Sequence, residues 1–267
     1  MDKVDQHLAE RWKRLGETAA IFCQPWLDID AQTAREKLDP DGILGDLRGK
    51  SVLCLAGGGG QQSVAFGLSG ARVTVLDVDG DQLQRDLRAA AHHGFTVRIE
   101  QGDMRDLSRF GEGAFDIVWH PYSVNFVPQF ATIVAEVARV LRPEGIYTFM
   151  LANPFASGIG TKDWNGEGYV MRLPYIDGAA YEFDDEDWVN GGLGDVPRPK
   201  EFRHTLGRVV RDLTNAGFVL FRLDEVASEE PESSPGTWQH LTSFMPPWFT
   251  LWTKLGSEPF PLVGNGA

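Results

Sequence analysis

Between residues 51 and 151, short apolar runs alternate with longer stretches whose apolar residues fall three or four apart. The short runs are 51–56 (SVLCLA), 72–77 (RVTVLD), 95–100 (FTVRIE), 115–119 (FDIVW) and 146–151 (IYTFML). Runs of that length and setting predict buried strands, and the spacing between them predicts helices at 61–68, 79–93 and 127–141. Gly94 stops the second helix, Arg142 to Gly145 form a turn, and Phe130, Ile133, Val134, Val137, Val140 and Leu141 stripe the third. Strand and helix in repeated alternation predict a parallel sheet covered on both faces, with ligands bound outside the carboxyl ends of the strands.

The flanks follow other rules. Leu8, Trp12, Leu15 and Ala19 lie on one face of a helix expected over 5–20. From Pro154 to Glu201 the alternation stops, but Trp164, Tyr169, Tyr175, Tyr181, Phe183 and Trp188 argue for an ordered cap. A helix over 203–216, stopped by Gly217, and strands 218–226 and 248–255 complete seven strands, with a polar loop from Glu229 to Gly236 and a tail from Gly256. The expected organisation is one domain: an N-terminal helical lid (1–45), a nucleotide-binding half (46–153), an inserted substrate cap (154–202), a C-terminal helix with strands (203–255), and a tail (256–267).

The most informative chemistry lies at the first turn. Strand 51–56 runs into Gly57, Gly58, Gly59 and Gly60, a helix follows, and the next strand ends on Asp77. Glycines let the backbone turn tightly and approach a ligand, because no Cβ intervenes. An acid about 20 residues beyond such a turn can accept both hydroxyls of a ribose. A dinucleotide fingerprint would carry a third glycine where this chain has Ser63, which counts against NAD.

Composition narrows the choice. A formal net charge of −13, with no basic run, disfavours nucleic acid, whose binding rests on Lys and Arg. A neutral or cationic small molecule suits the chain better. No apolar stretch approaches the ~20 residues of a membrane span, and the charged start lacks a signal-peptide core. Cys23 and Cys54 are too few for a disulfide framework and indicate a reducing, cytoplasmic setting. No metal-ligand pattern appears, and oligomeric state is not legible.

Five motifs in order resemble the class I S-adenosylmethionine (SAM)-dependent methyltransferases of the small-molecule branch. They are GKSVLCLAGGGGQQS, VTVLDVD, EQGDMRDL, FDIVWHPYSVNFVPQ and EVARVLRPEGIYTFML, spread over about 45–150. The resemblance implies an α/β fold: a doubly wound, mostly parallel seven-stranded sheet with an antiparallel last strand, an N-terminal helical segment and an inserted cap. It also implies that Ala56, Gly57, Gly58, Gly60 and Gln61 pass the methionine part of SAM, with Asp77 on the ribose and Val78 and Gln82 beside the adenine. Gly102, Asp103 and Met104 would form the adenine loop, Asp103 accepting from the amino group, and His120 would face the methionine ammonium. The chain departs from the family at Cys54, where an acid is common, and at Ala56, where glycine is.

Methyl transfer is an in-line displacement that needs alignment, and a base only for a protonated nucleophile. His120 and Tyr122, directly after the fourth strand, are the candidates for that work. His204 and His240 are weaker candidates, and His204, just before a helix, reads as a hydrogen bonder of the cap region. Only Trp119 of the eight tryptophans falls within 51–151; the rest lie in the segments expected to converge over the strand ends, an aromatic setting for an apolar or cationic acceptor. The acidic run Glu182 to Asp187 reads as a solvated face. The expected function is methyl transfer from SAM to a small molecule. The alternatives are a NAD-dependent oxidoreductase and a non-methylating SAM-binding member of the same fold.

Overall fold

The computed structural model describes residues 3–17, 23–182, 196–228, 230 and 232–257. Within them a seven-stranded sheet runs in the order β3-β2-β1-β4-β5-β9-β8. Its strands are β1 (Ser51–Leu55), β2 (Arg72–Asp77), β3 (Val97–Gln101), β4 (Phe115–His120), β5 (Leu141–Ala152), β8 (Phe218–Val226) and β9 (Trp248–Leu255). The first five pair in parallel, and β9 is antiparallel to both β5 and β8, so the expected reversed last strand lies inside the edge formed by β8.

Alternation along β1 sends its side chains to two cores. Leu53 and Leu55 join Leu76, Val118, Tyr147 and Phe149 beneath α5 (Phe130–Val140) and α6 (Leu206–Asn215). Val52 and Cys54 join Val73, Val75, Ile117 and Trp252 against α2 (Ala31–Leu38), α3 (Gln62–Leu68) and α4 (Gly80–His93). Gly94 ends α4 in the left-handed conformation, φ +76°, which glycine adopts without a Cβ penalty.

Several boundaries differ from expectation for physical reasons. The helix expected over 127–141 begins only at Phe130; Pro128 holds Val127 extended at φ −132°, ψ 145°, and a short 3₁₀ turn occupies Val124–Phe126. The turn expected at 142–145 is instead a bulge within β5, where Glu144 takes φ +66° and pairing to β4 resumes at Ile146. Helix α1 spans Lys3–Gly16, with Leu8 and Leu15 buried; Ala19 lies outside the described residues. A seven-residue helix, α7 (Trp238–Phe244), was not expected. Among the described residues no helix is long and apolar enough to cross a membrane.

The described part of the cap holds a two-stranded ribbon, β6 (Ala180–Glu182) with β7 (Lys200–Phe202). Phe183, Trp188 and most of the Glu182–Asp187 run lie outside the described residues, as does the tail beyond 257. A polar contact inside an aromatic cluster fastens the described part of the cap to α7. Tyr169 Oη lies 2.7 Å from His240 Nδ1, and Trp164 and Phe244 pack on the same imidazole. Tyr169→Phe removes that bond and is expected to cost about 0.5–1.5 kcal/mol by urea denaturation. A loss below the error of the fit would show that packing alone holds the cap.

Candidate active site

The strand order reverses between β1 and β4, so the crevice outside their carboxyl ends is the switch point of the fold. A cavity of about 1030 Å³ opens there. The turn after β1 forms its floor. Ala56 leaves the strand at φ +47°, and Gly59 and Gly60 take φ +121° and +80°. A Cβ on Gly58 would lie 2.8 Å from Gln82 Cβ and 3.0 Å from Asp77 Oδ2, so only glycine fits this close approach of floor and wall.

The floor is tied down by carboxylates rather than left open. The Gly58 N–H donates to Asp77 Oδ2 (2.9 Å), while Asp77 Oδ1 accepts from the Asp79 N–H (2.9 Å). The Gly59 and Gly60 N–H groups donate to Asp86 Oδ2 and Oδ1 at 2.9 and 3.0 Å, and the Ser63 hydroxyl donates to the same carboxylate. Burial pushes Asp77 and Asp86 each up to about 6 from the ordinary carboxylate value of 3.8, against the pull of these donors. Ser63, which stands where a dinucleotide fingerprint carries glycine, is thus part of the clamp. A phosphate-binding loop turns its amides to the anion; here three successive amides are consumed internally, so the floor is suited to a cation.

Of the residues expected to hold the cofactor, Ala56, Gly57, Gly58, Gln61, Asp77, Val78, Gln82 and Met104 line the cavity, as does Tyr122. Gly60, Gly102, Asp103 and His120 do not. Asp103 accepts from the Arg105 backbone N–H at 2.7 Å and from its guanidinium at 2.9 and 3.0 Å, a local turn that draws the carboxylate to Arg105. The Gly102 N–H donates to Asp77 O (2.9 Å), which registers the loop after β3 beside β2, so that of Gly102, Asp103 and Met104 only Met104 reaches the cavity. His120 is a correction to the catalytic expectation. Its side chain is 1% exposed, lies with Nδ1 3.1 Å from Tyr147 Oη, and is held by burial down to about 3, far from a base near neutrality. Trp119 and His120 take the two faces of β4, and the chain reaches the crevice only at Pro121.

Tyr122 does face the cavity. Its hydroxyl donates to Glu201 Oε2 at 2.5 Å, and Tyr181 donates to the same oxygen at 3.0 Å. Burial and the neighbouring carboxylate raise Tyr122 well above the usual phenol range, so it stays protonated. Its ring packs edge-on against Phe126 and Trp248. His204 lies 3.1 Å from the Val124 carbonyl with its ring tilted against Phe130, a structural role as expected.

Above the floor the cavity continues between α1, the cap and α7. Trp12, Phe126, Trp238 and Trp248 give aromatic walls, and Lys162 and Gln239 add polar groups. Sequence reasoning missed Asp86, Glu201 and α7. Asp86 left one signal, an acid on the buried face of α4 among Leu83, Ala89 and Ala90. Among the described residues no group of three His, Cys, Asp or Glu is arranged to hold a metal.

A doubly wound sheet with a glycine floor at its switch point and an acid at the end of β2 defines a Rossmann-like nucleoside-binding enzyme. Residues 53–149 match the family described as "Methyltransferase domain". The chain is 32% identical over 187 residues to the uncharacterized methyltransferase YbaJ of Bacillus subtilis, spanning 65% of this chain and 68% of that protein. It is 29% identical over 176 residues to a ubiquinone biosynthesis O-methyltransferase of Cronobacter sakazakii, spanning 64% and 70%. An S-adenosylmethionine-dependent methyltransferase structure from Mesorhizobium loti shares the fold at a TM-score of 0.63, with 19% identity over 86% of this chain and all of that one. The chain belongs to the class I SAM-dependent methyltransferases, and its cofactor is SAM.

The lining residues fit that cofactor. Asp77 at the wall would offer a carboxylate to ribose hydroxyls and Met104 a thioether to a flat ring, and the Gly58 cradle has no room for a Cβ.

Proposed function

We propose that this enzyme methylates a small organic acceptor bound in the aromatic upper lobe, with α1 and the described part of the cap covering the reaction. The observation that carries this reading is the cavity: at about 1030 Å³ it stands at the top of the ~300–1,000 Å³ range of ligand sites, room for a nucleoside cofactor and a second molecule together. The relative named for ubiquinone biosynthesis supports an acceptor of small size. The net charge of −13 argues against nucleic acid, and two buried free cysteines suit the cytoplasm. Among the alternatives, a dinucleotide is disfavoured by the consumed glycine amides.

When bound, SAM supplies a methyl group activated on a sulfonium. The chain's own work is alignment and exclusion of water. The glycine floor would pass the methionine part of the cofactor and Asp77 would take its ribose, Trp12 and Trp248 would flank the acceptor, and Tyr122, its proton held on Glu201, would offer its oxygen to orient the acceptor's nucleophilic group. Incubation with methyl-labelled SAM and a metabolite extract, scored for label transfer, is the direct test; label confined to macromolecules would overturn a small-molecule acceptor. Tyr122→Phe is expected to lower transfer about tenfold, the scale of one hydrogen bond, while SAM affinity stays within about twofold. Equal loss of binding would assign Tyr122 to the cofactor instead.

A pH dependence follows from Asp77 and Asp86. Each binds its proton more tightly in the folded chain than at the ordinary 3.8. Their contribution to ligand-free stability is therefore fully present below pH 4 and is lost as pH rises through about 6. SAM binding has the opposite sign, because a cation and ribose hydroxyls favour the ionised acid. With Asp77 titrating at about 6, SAM affinity is expected to fall about tenfold from pH 7.5 to pH 5. Calorimetry across that range checks it, and a flat profile would remove the titrating acid from the site.

A further inference from the structure

The fold spends a fully buried carboxylate on Asp86, and no lysine, arginine or histidine among the described residues pairs with it. Its partners are the Gly59 and Gly60 amides and the Ser63 hydroxyl. Its field is felt by two neighbours, the Cys54 thiol at the end of β1 and the Asp77 carboxylate at the end of β2. Burying an acid without a counter-ion costs stability, and such a group is weak evidence for a stabilising role. It does settle the loop, because two amides with φ of +121° and +80° are held in one arrangement before any ligand arrives. It also leaves a net negative charge buried under the floor of the cavity, where charge acts over longer range than in solvent.

We infer that Asp86 is a specificity-determining residue of the cofactor site, fixing the glycine floor with its amides turned inward and favouring a sulfonium over the neutral thioether left after transfer. This rests on SAM as cofactor and concerns how the site tells the charged cofactor from its demethylated product. Asp86 acts through the floor rather than by touching the ligand, since neither it nor Gly59 nor Gly60 lines the cavity. Asp77 is the second member of the arrangement: it holds the Gly58 amide and faces the ligand directly. The two carboxylates thus divide the loop between them.

The test is calorimetry of SAM and S-adenosylhomocysteine on the wild type and on Asp86→Asn, which keeps the shape and removes the charge. The variant is expected to bind SAM at least tenfold more weakly and to lose at least threefold of its preference for SAM relative to S-adenosylhomocysteine. Equal weakening of both ligands, or no change in either, overturns the inference while leaving the cofactor assignment intact. A wild type that binds neither ligand overturns that assignment and this inference together. Should Asp86→Asn fail to fold, amide hydrogen exchange on the ligand-free wild type decides. The Gly59 and Gly60 amides are expected to be protected, and exchange as fast as at the open Gly111 turn overturns the clamp.

Discussion

Asp77→Ala is expected to weaken SAM binding by roughly 1.5–3 kcal/mol, a loss of about 10- to 150-fold in calorimetry. The estimate is for hydrogen bonds to a charged acceptor, and the structure gives two reasons to place the loss toward its upper end. Asp77 lines the cavity, so its removal takes away the carboxylate proposed to accept from the ribose. It also accepts the Gly58 N–H at 2.9 Å and the Asp79 N–H at 2.9 Å, so the same change frees an amide of the floor and one at the start of α4. The expected signature is loss of affinity larger than loss of stability. Because the folded chain holds this acid un-ionised up to about pH 6, its removal relieves a burial cost that offsets the lost bonds above that pH. An unchanged dissociation constant would show that the ribose sits elsewhere.

Much of this arrangement was legible in the chain. Strands β2, β8 and β9 occupy the expected 72–77, 218–226 and 248–255, because each apolar run is bounded by residues that end a ladder. That the glycine floor, Asp77, Gln82 and Met104 come together at one cavity was legible as well, since their places follow from chain position alone. What failed depends on side-chain direction. His120, expected directly after the fourth strand, is instead the last residue of β4, and the pleat turns it onto Tyr147. Asp103 stands where the adenine loop was placed, but its own turn gives the carboxylate to Arg105. Long-range partners were invisible for a different reason. Glu201 lies 79 residues from Tyr122, and nothing local marks the pair. Asp86 answers the oddity at Cys54: the acid missing from β1 has a counterpart reaching the same loop from α4.

Gly60→Ala is expected to destabilise the fold by about 2–4 kcal/mol, read as a lower denaturant midpoint at unchanged slope. Two costs add at this position. Gly60 has φ +80°, and an L side chain in the left-handed region costs about 1–2 kcal/mol. The new methyl would also stand 2.8 Å from Pro25 Cβ and 3.1 Å from Ala89 Cβ, both short, stiff groups that cannot swing aside. Nor can the loop move away, since Asp86 accepts the Gly60 N–H at 3.0 Å and the Trp26 N–H donates to Gly60 O at 3.0 Å. Reduced freedom of the unfolded chain returns only ~0.4–1 kcal/mol. Gly42→Ala separates the two costs: Gly42 shares the left-handed backbone at φ +70°, but its Cβ would meet nothing within 4 Å. It should lose about 1 kcal/mol, the conformational part alone. Equal destabilisation of the two variants would mean that the floor has slack around Gly60, and a floor with slack is not the preset surface on which cofactor recognition here depends.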